Sequence, residues 1–406
     1  MAAVVAAGAA FATVRLAAAN PPPTVGIAVP AALVAAPGTP PAIPAPPAGS
    51  LAIASTLDGS LAIHGADVVR PIASVAKALT ALVVVHARPL PPGEGGPLLT
   101  MTPADVALWR QAVAEDGSGL AVRSGEVLSE RDLLAALLLP SANNIAETLA
   151  RWVSGSRAAF VGLANATARS LGMAHTSFAD PSGFSAATVS TAADLTILAA
   201  AVLAEPALAD LVGRTQWDLP DGTRITNLDM LLAPGSEWLG IKTGWTPAAG
   251  GCLLFARKRV YAAGAEPVTV YGAVLGQPAD GETDAAHPEL GGAFKVATQA
   301  ADAALSGYAA IDLATHAPSL SGAIHTRWGS RAAVVIGSTR SVFVTLRLGS
   351  PARITRRVAA LTAPIKRGAQ VGAITATVRG RQVISWPLVA GGDVGLPLWW
   401  SKLVNG

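Results

Sequence analysis

The chain has 406 residues, a formal net charge of +3, 51% hydrophobic residues and only 14% charged residues. This length predicts two domains, and the single cysteine, Cys252, excludes an intrachain disulfide. The six histidines are scattered rather than placed at zinc-ligand spacing, and neither common Gly-rich phosphate loop occurs. We therefore predict no metal site and no cofactor.

The N-terminal region has the composition of a targeting segment followed by a linker. The short apolar run "AAVVAAGAAFATV" is followed by Arg15 and by small residues at 17–19, which suit a signal peptidase. We expect residues 1–19 to be a signal peptide or an N-terminal anchor, and the protein to be exported; a disordered Ala-rich tail is the alternative. Residues 20–50 are rich in Pro and Ala and predict an extended linker.

Globular patterning begins at about residue 51. The segment "LAIASTLDGSLAIHG" predicts a β-hairpin, because two short apolar runs flank Asp58-Gly59. The apolar run from Pro71 to Val85 predicts a buried helix. A second apolar run, residues 131–139, predicts another helix, which Pro140 ends.

The next segments alternate helices with strands. "NNIAETLARWV" predicts a helix that begins after Pro140, and "STAADLTILAAAVL" predicts one capped by Ser190 or Thr191. "GCLLFARKRVYAAG" and "PVTVYGAVLG" predict two strands joined by a turn. Strands that flank a block of helices indicate the α+β class, and we assign this domain to residues 51–300.

Residues 301–406 differ from the preceding domain in both pattern and charge. Short β-like runs separated by Gly turns predict a small all-β domain. Twelve Lys or Arg against three Asp or Glu make this region strongly basic. A solvated surface is one explanation, and contact with an anionic membrane or wall polymer is the other. Aromatic residues are not interleaved for base stacking, so we predict no nucleic acid partner.

Ser74 and Lys77 are the first residues that indicate catalysis. They stand at i and i+3 and therefore share one helix face. The apolar helix behind Lys77 lowers its pKa, because burial disfavours the ammonium form. A partly neutral lysine can take the serine proton and activate a nucleophile. A buried helix with a chance serine and a snorkelling lysine is the alternative.

Two later motifs strengthen the catalytic interpretation. Ser141 and Asn143 fall in a loop between two predicted helices, where a hydroxyl can relay a proton and an amide can hold a substrate carbonyl. Lys242, Thr243 and Gly244 come where a strand begins. Lys242 and Thr243 can hold a carboxylate, and Gly244 would let a substrate backbone lie close to the strand.

The three motifs in this order, Ser-x-x-Lys, Ser-x-Asn and Lys-Thr-Gly, resemble those of penicillin-binding proteins and serine β-lactamases. The sequence around these motifs, over about residues 50 to 280, is similar to that of the D-alanyl-D-alanine carboxypeptidases of low molecular mass. Examples are "PIASVAKALTALVV", where Ala76 replaces a more usual Thr, and "GMAHTSFADPSGF". "APIKRGAQVGAITATVRGRQVISWPLV" more loosely resembles the β-rich C-terminal domain of that family.

This resemblance implies a mechanism and its residues. Ser74 would attack the carbonyl between two D-alanines of a peptidoglycan pentapeptide stem, with Lys77 as base, and β-lactams would inhibit by acylating the same serine. Ser141 and Asn143 would pass protons and position substrate. Lys242 and Thr243 would bind the terminal carboxylate, and the backbone N–H groups of Ser74 and Trp245 would form the oxyanion hole.

Other functions remain open at this point. A serine β-lactamase would need a carboxylate that activates the deacylating water, and Glu205 in "EPALAD" fits that role poorly, since it reads as a helix cap or surface acid. A non-catalytic wall-binding protein would not need Lys77, and an esterase on this fold is a further alternative. Water, an amine or a cross-linked peptide could each serve as acyl acceptor or substrate.

Overall fold

A computed structural model of the chain describes residues 32–65, 68–279, 288–313, 320–325, 331–336, 341–358 and 364–393. These residues fall into two compact units. The larger unit comprises the described parts of Pro41–Arg259 and Pro267–Gly307, and the smaller comprises those of residues 1–40 and 308–406 together with Val260–Glu266. The predicted signal peptide or anchor, residues 1–19, lies outside the described residues.

The α-helices of the described residues all belong to the larger unit. They are α1 (Ala76–Ala87), α2 (Pro103–Ala114), α3 (Glu130–Leu138), α4 (Asn143–Ser154), α5 (Arg157–Ser170), α6 (Ala192–Ala204), α7 (Pro206–Val212) and α8 (Gly291–Ser306). No individual helix in the described part of the chain combines the length and hydropathy needed to span a bilayer, although α6 and α7, bent by 105°, meet the criteria jointly.

The strands are distributed over both units. They are β1 (Ala32–Ala35), β2 (Ser50–Ser55), β3 (Gly59–His64), β4 (Arg70–Pro71), β5 (Leu98–Thr100), β6 (Val127–Ser129), β7 (Val189–Ser190), β8 (Gln216–Asp218), β9 (Arg224–Thr226), β10 (Trp238–Thr246), β11 (Gly250–Arg259), β12 (Val268–Gln277), β13 (Tyr308–Asp312), β14 (Leu320–His325), β15 (Arg331–Ile336), β16 (Phe343–Arg347), β17 (Pro351–Val358), β18 (Gln370–Val378) and β19 (Arg381–Val389).

The larger unit is built on one five-stranded antiparallel sheet. Its strand order is β10-β11-β12-β2-β3, so β10 and β3 are the edge strands. The predicted hairpin is confirmed, since β2 pairs with β3 around the turn that contains Asp58. Helices α6 and α8 pack against this sheet. The predicted α+β class is confirmed by this arrangement and by the β-rich smaller unit.

Helix α1 forms the centre of the helical block. It contacts α3, α4, α5 and α6, and every residue from Ala76 to Val85 is buried. This confirms the prediction of a buried helix over this run, which is apolar all round as interior helices are. The helix therefore places its one lysine, Lys77, in the interior with 0% of its surface exposed.

The smaller unit has a four-stranded antiparallel sheet in the order β1-β17-β18-β19. Strand β1 lies inside residues 20–50, which the sequence analysis expected to be a linker without packed elements. Val34 and the following Ala36 are buried in this unit, because alternate apolar residues on one strand face reach its core. The structure also groups residues 301–307 with the larger unit, since they complete α8.

Glu130, the first residue of α3, is a buried carboxyl without a hydrogen-bond partner. It is 0% exposed, and neither of its carboxylate oxygens has a partner among the described residues. Burial raises its pKa to about 7, against the opposing charge of Arg88. The folded protein therefore favours the neutral acid, and stability is lost as the pH rises from the unfolded-state pKa near 4.5 through about 7.

We expect Glu130→Gln to stabilise the protein at pH 8 by about 1–3 kcal/mol, and to change its stability little at pH 5. The amide of the variant cannot ionise, so the variant avoids the cost of burying a charge. It is therefore more stable than the wild type only at pH values where the wild-type carboxyl is ionised. Urea unfolding at both pH values measures this difference, with the exposed Glu94→Gln as matched control. Equal effects of Glu130→Gln at pH 5 and pH 8 would contradict the prediction.

Candidate active site

The serine of the first motif lies in a strained turn at the start of α1. Residues Ala73–Val75 form a single 3-10 turn that continues directly into the helix. Ala73 has a φ of 47°, in the left-handed region that residues other than glycine rarely adopt. Gly183 packs so closely here that a Cβ on it would lie 1.9 Å from the Ala73 carbonyl oxygen. Strain of about 1–3 kcal/mol is typical of active sites and persists because the surroundings enforce it.

The Lys77 amine is surrounded by four oxygen atoms. Its Nζ lies 2.7 Å from Oγ of Ser74, 3.3 Å from Oγ of Ser141, 2.7 Å from Oδ1 of Asn143 and 3.0 Å from the carbonyl oxygen of Ser182. The first and second motifs therefore meet at this one nitrogen. Lys77 connects the serine that would react with the hydroxyl that would relay its proton.

The pKa of Lys77 lies well below the ordinary value for lysine. Burial is the main cause, because it disfavours the ammonium form, and the positive charge of Lys242 acts in the same direction. The carboxylate of Asp180 opposes both effects. A neutral Lys77 amine carries a lone pair and lies within hydrogen-bond distance of the Ser74 hydroxyl, so it can accept that proton.

The second motif occupies the short connection between α3 and α4. Pro140 follows the end of α3, and Ser141 has a φ of 66°, again in the left-handed region. Asn143 begins α4, and its backbone N–H donates to the carbonyl oxygen of Ser118 at 2.8 Å. Ser141 is buried whereas Asn143 is partly exposed; both side chains contact the Lys77 amine, and both residues line the cleft described below.

The third motif lies within β10, an edge strand of the main sheet. Lys242 and Thr243 are buried, whereas Trp245 is 45% exposed. A Cβ on Gly244 would lie 2.8 Å from the backbone N of Val75 and 2.9 Å from that of Ser74. The structure thus gives Gly244 a role in letting β10 approach the Ser74 turn, in addition to the substrate approach expected from the sequence.

The Lys242 ammonium lies beside its neighbour in the strand. Its Nζ donates to the carbonyl oxygen of Thr243 at 3.1 Å and is 3.5 Å from the Thr243 hydroxyl. Burial lowers the pKa of Lys242 to about 7, and the carboxylate of Asp229 opposes that change. Lys242 therefore changes its charge state close to neutral pH, which matters for any role in binding an anion.

A cleft of about 660 Å³ joins the three motifs. Its volume is sufficient for a short peptide segment. Ser74 and the exposed part of β10 both line it. The residues of the three motifs that line it are Ser74, Ser141, Asn143, Thr243, Gly244 and Trp245. Lys77 and Lys242 lie buried behind this surface. Within the described residues, no group of His, Cys, Asp and Glu side chains could hold a metal ion.

Asp180 and Ser182 support the Lys77 site, although no motif in the sequence marked them as functional. Asp180 is buried and accepts hydrogen bonds from the Ser182 hydroxyl at 2.6 Å and from the backbone N–H of Phe184 at 3.0 Å. These bonds fix the loop whose Ser182 carbonyl oxygen contacts Lys77. The turn-forming "DPSG" was the available signal, but only the fold shows that this turn reaches α1.

Glu205 does not belong to this cleft. It is the residue between α6 and α7, where it caps both helices, and its carboxylate pairs with His86 at 3.1 Å. The interpretation of Glu205 as a cap or surface acid is confirmed.

Two family models match the chain. The first, D-alanyl-D-alanine carboxypeptidase, matches residues 51–265. The second, the C-terminal domain of penicillin-binding protein 5, matches residues 323–395. The two matches cover the α+β part and the β-rich part in the order that the sequence resemblance implied.

Two named relatives are similar to this chain over about half of its length. The D-alanyl-D-alanine endopeptidase of Escherichia coli is 36% identical over 195 residues, which are 46% of this chain and 59% of the relative. The D-alanyl-D-alanine carboxypeptidase DacB2 of Mycobacterium tuberculosis is 32% identical over 205 residues, which are 48% of this chain and 66% of the relative. The chain thus spans 59% of the length of the first of these relatives.

A solved structure supports the same fold. The Streptomyces K15 DD-transpeptidase superimposes with a TM-score of 0.54 at 25% sequence identity. The match covers 64% of this chain and 99% of that enzyme.

Proposed function

The chain belongs to the D-alanyl-D-alanine carboxypeptidase family, whose model matches just over half of it, and on this premise we propose its activity. It removes the terminal D-alanine of peptidoglycan stem peptides, as a serine-type carboxypeptidase that forms an acyl-enzyme. The observation that carries the proposal is the Lys77 amine, which is buried, has a lowered pKa and lies 2.7 Å from the Ser74 hydroxyl.

Acylation begins with proton transfer from Ser74 to the neutral Lys77. The serine Oγ attacks the carbonyl carbon of the penultimate D-alanine, and a tetrahedral intermediate forms. Its oxyanion accepts hydrogen bonds from the backbone N–H groups of Ser74 and Trp245. These two groups can act together because Gly244, which precedes Trp245 in β10, packs directly against the backbone of Ser74. One such donor typically contributes about 10²–10³ in rate.

Departure of the leaving D-alanine requires a proton on its nitrogen. Lys77 holds the proton taken from Ser74, and the Ser141 hydroxyl lies 3.3 Å from the lysine nitrogen. Ser141 passes a proton to the leaving amine and takes one from Lys77, so that Lys77 returns to the neutral form. Water then attacks the acyl-enzyme with Lys77 as base, and releases the shortened peptide and the Ser74 hydroxyl.

The substrate's free carboxylate is bound by the third motif. Lys242 supplies a positive charge and Thr243 a hydroxyl, and both belong to the strand that lines the cleft. Asn143, which also lines the cleft, holds the substrate backbone. A carboxypeptidase cuts next to a free carboxyl end. A cation close to the cleft that holds the nucleophile is therefore suited to binding that end.

Cleavage of cross-linked peptides is a second candidate function, because the Escherichia coli relative at 36% identity is named an endopeptidase. Incubation with a stem pentapeptide and, separately, with a cross-linked dimer, followed by mass spectrometry, distinguishes the two. We expect loss of one D-alanine from the pentapeptide. Cleavage of the dimer alone would favour the endopeptidase, transfer to an added amine a transpeptidase, and no reaction with either peptide would contradict the proposal.

The proposed substrate places the protein outside the cytoplasm, at the cell wall or membrane. We further propose that the two compact units act as separate domains, the catalytic one and a basic one. In the basic unit, Arg353 and Arg357 are exposed on one face of β17, since residues four apart in a strand point the same way. This face is suited to an anionic surface of the envelope, and binding to anionic vesicles or wall polymer that weakens with added salt would support it.

We expect benzylpenicillin to form a long-lived covalent adduct. The Lys77 nitrogen contacts hydroxyl, amide and carbonyl oxygens among the described residues, and no carboxylate shares this contact to activate water as in class A β-lactamases. The penicilloyl group also keeps its ring where departing D-alanine would leave room for water. Electrospray mass spectrometry should show one adduct that persists for minutes or longer. Steady, rapid hydrolysis of the drug by unmodified enzyme would instead support a β-lactamase.

A further inference from the structure

A buried acid that the proposed mechanism does not use lies close to the third motif. Asp229 is 4% exposed and belongs to the segment between β9 and β10. The neighbouring Leu228 lines the catalytic cleft, and its backbone N–H donates to the carbonyl oxygen of Leu139, just before the second motif. Asp229 is therefore fixed at the back of the catalytic cleft rather than on an outer surface.

The hydrogen bonds of Asp229 leave one of its oxygens without a donor. Its Oδ1 accepts from the backbone N–H of Leu231 at 3.1 Å, and its own backbone N–H donates to Asn227 at 2.9 Å. Its Oδ2 is buried and has no partner among the described residues. A carboxylate oxygen buried in this way is costly unless a positive charge compensates it.

Lys242 is the positive charge that acts on Asp229. Burial raises the pKa of Asp229 to about 6, and the Lys242 ammonium opposes that rise. In return, the Asp229 carboxylate opposes the fall that burial causes in the pKa of Lys242. Lys242 is 1% exposed, and both of its hydrogen-bond acceptors belong to Thr243. Each buried group is thus the opposite charge that the other one needs.

We propose that Asp229 is a positioning residue for the carboxylate-binding site, where its buried carboxylate supplies the counter-charge that keeps Lys242 protonated behind Thr243. This inference rests on the proposed function, because it assumes that Lys242 binds the substrate's terminal carboxylate. Asp229 does not touch the substrate. It acts through Lys242, which must carry a charge in a place from which water is largely excluded.

The sign of this effect depends on pH. Below about pH 6 Asp229 itself takes up a proton, so it supplies little counter-charge and its removal changes the charge of Lys242 little. Above about pH 7 the counter-charge decides how much Lys242 remains protonated. The other charged group acting here is Lys77, whose proton Lys242 disfavours and Asp180 favours. Removing Asp229 should therefore weaken carboxylate recognition at alkaline pH and leave it intact at acidic pH.

The test compares Asp229→Asn with the wild type between pH 5.5 and 8.5. The probes are benzylpenicillin, which carries a carboxylate, and a peptide thioester whose terminal carboxyl is methylated, and the readout is the second-order rate of acylation. We expect about a tenfold slower reaction with benzylpenicillin at pH 8, as for one unit of pKa, and less than a twofold change at pH 5.5. The uncharged thioester should change by less than twofold throughout. Asp221→Asn, in an exposed turn, is the matched control.

A double-mutant cycle keeps the proposal testable if the single variant is unstable. Lys242→Gln leaves Asp229 as a buried acid without its counter-charge and should lower the stability to urea. Adding Asp229→Asn removes that uncompensated charge and should restore part of the lost stability. Additive changes in stability, or equal losses of acylation rate with both probes at every pH, would overturn the role of Asp229 alone. A wild-type protein that neither probe acylates would overturn the proposed function itself, and this inference with it.

Discussion

Ser74→Ala is expected to abolish covalent labelling by fluorescent penicillin and to lower carboxypeptidase turnover by at least about 10³-fold. The β-lactam amide imitates the bond between two D-alanines, so the same oxygen should be acylated by both. Oγ of Ser74 is the hydroxyl oxygen that lies both in the cleft and 2.7 Å from the Lys77 amine. Its removal takes away the atom that would form the ester.

The variant should remain folded, because an alanine at position 74 removes one oxygen and adds no atom to the turn. Circular dichroism and urea unfolding check this, and Ser170→Ala, on an exposed position of α5, serves as the matched control for labelling. Labelling of a folded Ser74→Ala protein at the wild-type rate would show that another residue is the nucleophile.

Lys77→Met is expected to reduce the acylation rate by about 10²–10⁴-fold at neutral pH, the range that a general base supplies. Methionine fills a similar volume, but its thioether sulfur is not basic enough to take the Ser74 proton. It also leaves Ser74, Asn143 and the Ser182 carbonyl without the nitrogen that they now share. We therefore expect some loss of stability in addition to the loss of rate.

The rate and the stability of this variant are measured separately. Stopped-flow acylation by a chromogenic cephalosporin gives the first, and urea unfolding gives the second. Lys295→Met removes an exposed lysine from α8 and should leave both unchanged. A folded Lys77→Met protein that acylates within threefold of the wild type would exclude Lys77 as the base.

Local sequence patterns predicted the elements whose formation depends on neighbours in the chain. The hairpin of β2 and β3, the buried helix α1 and the end of α3 before Pro140 are of this kind, because turn residues, apolar runs and proline act within a few residues. The spacing of Ser74 and Lys77 likewise follows from one helical turn. The three motifs could be found in the sequence for this reason, although their meeting at one nitrogen could not.

Features that depend on distant parts of the chain were not predictable in this way. Asp229 precedes Lys242 by 13 residues in the sequence, yet its burial beside the cleft follows from how the segment before β10 packs. Gly244 reads as a strand glycine until its contact with the Ser74 turn is seen. Strand β1 lies in Pro-rich sequence and forms because β17 offers it an edge more than 300 residues later.

The pH dependence of acylation by benzylpenicillin tests the central claim, that Lys77 is a neutral base beside Ser74, most directly. The second-order rate reports ionisations of the free enzyme. It should rise with a midpoint well below 10.5, the ordinary pKa of lysine, as Lys77 loses its proton. It should then fall above about pH 7 as Lys242 loses its charge, a decline that an uncharged thioester should not show. A rate that keeps rising with both compounds up to pH 10 would show that Lys77 is protonated at neutral pH, and would contradict the mechanism.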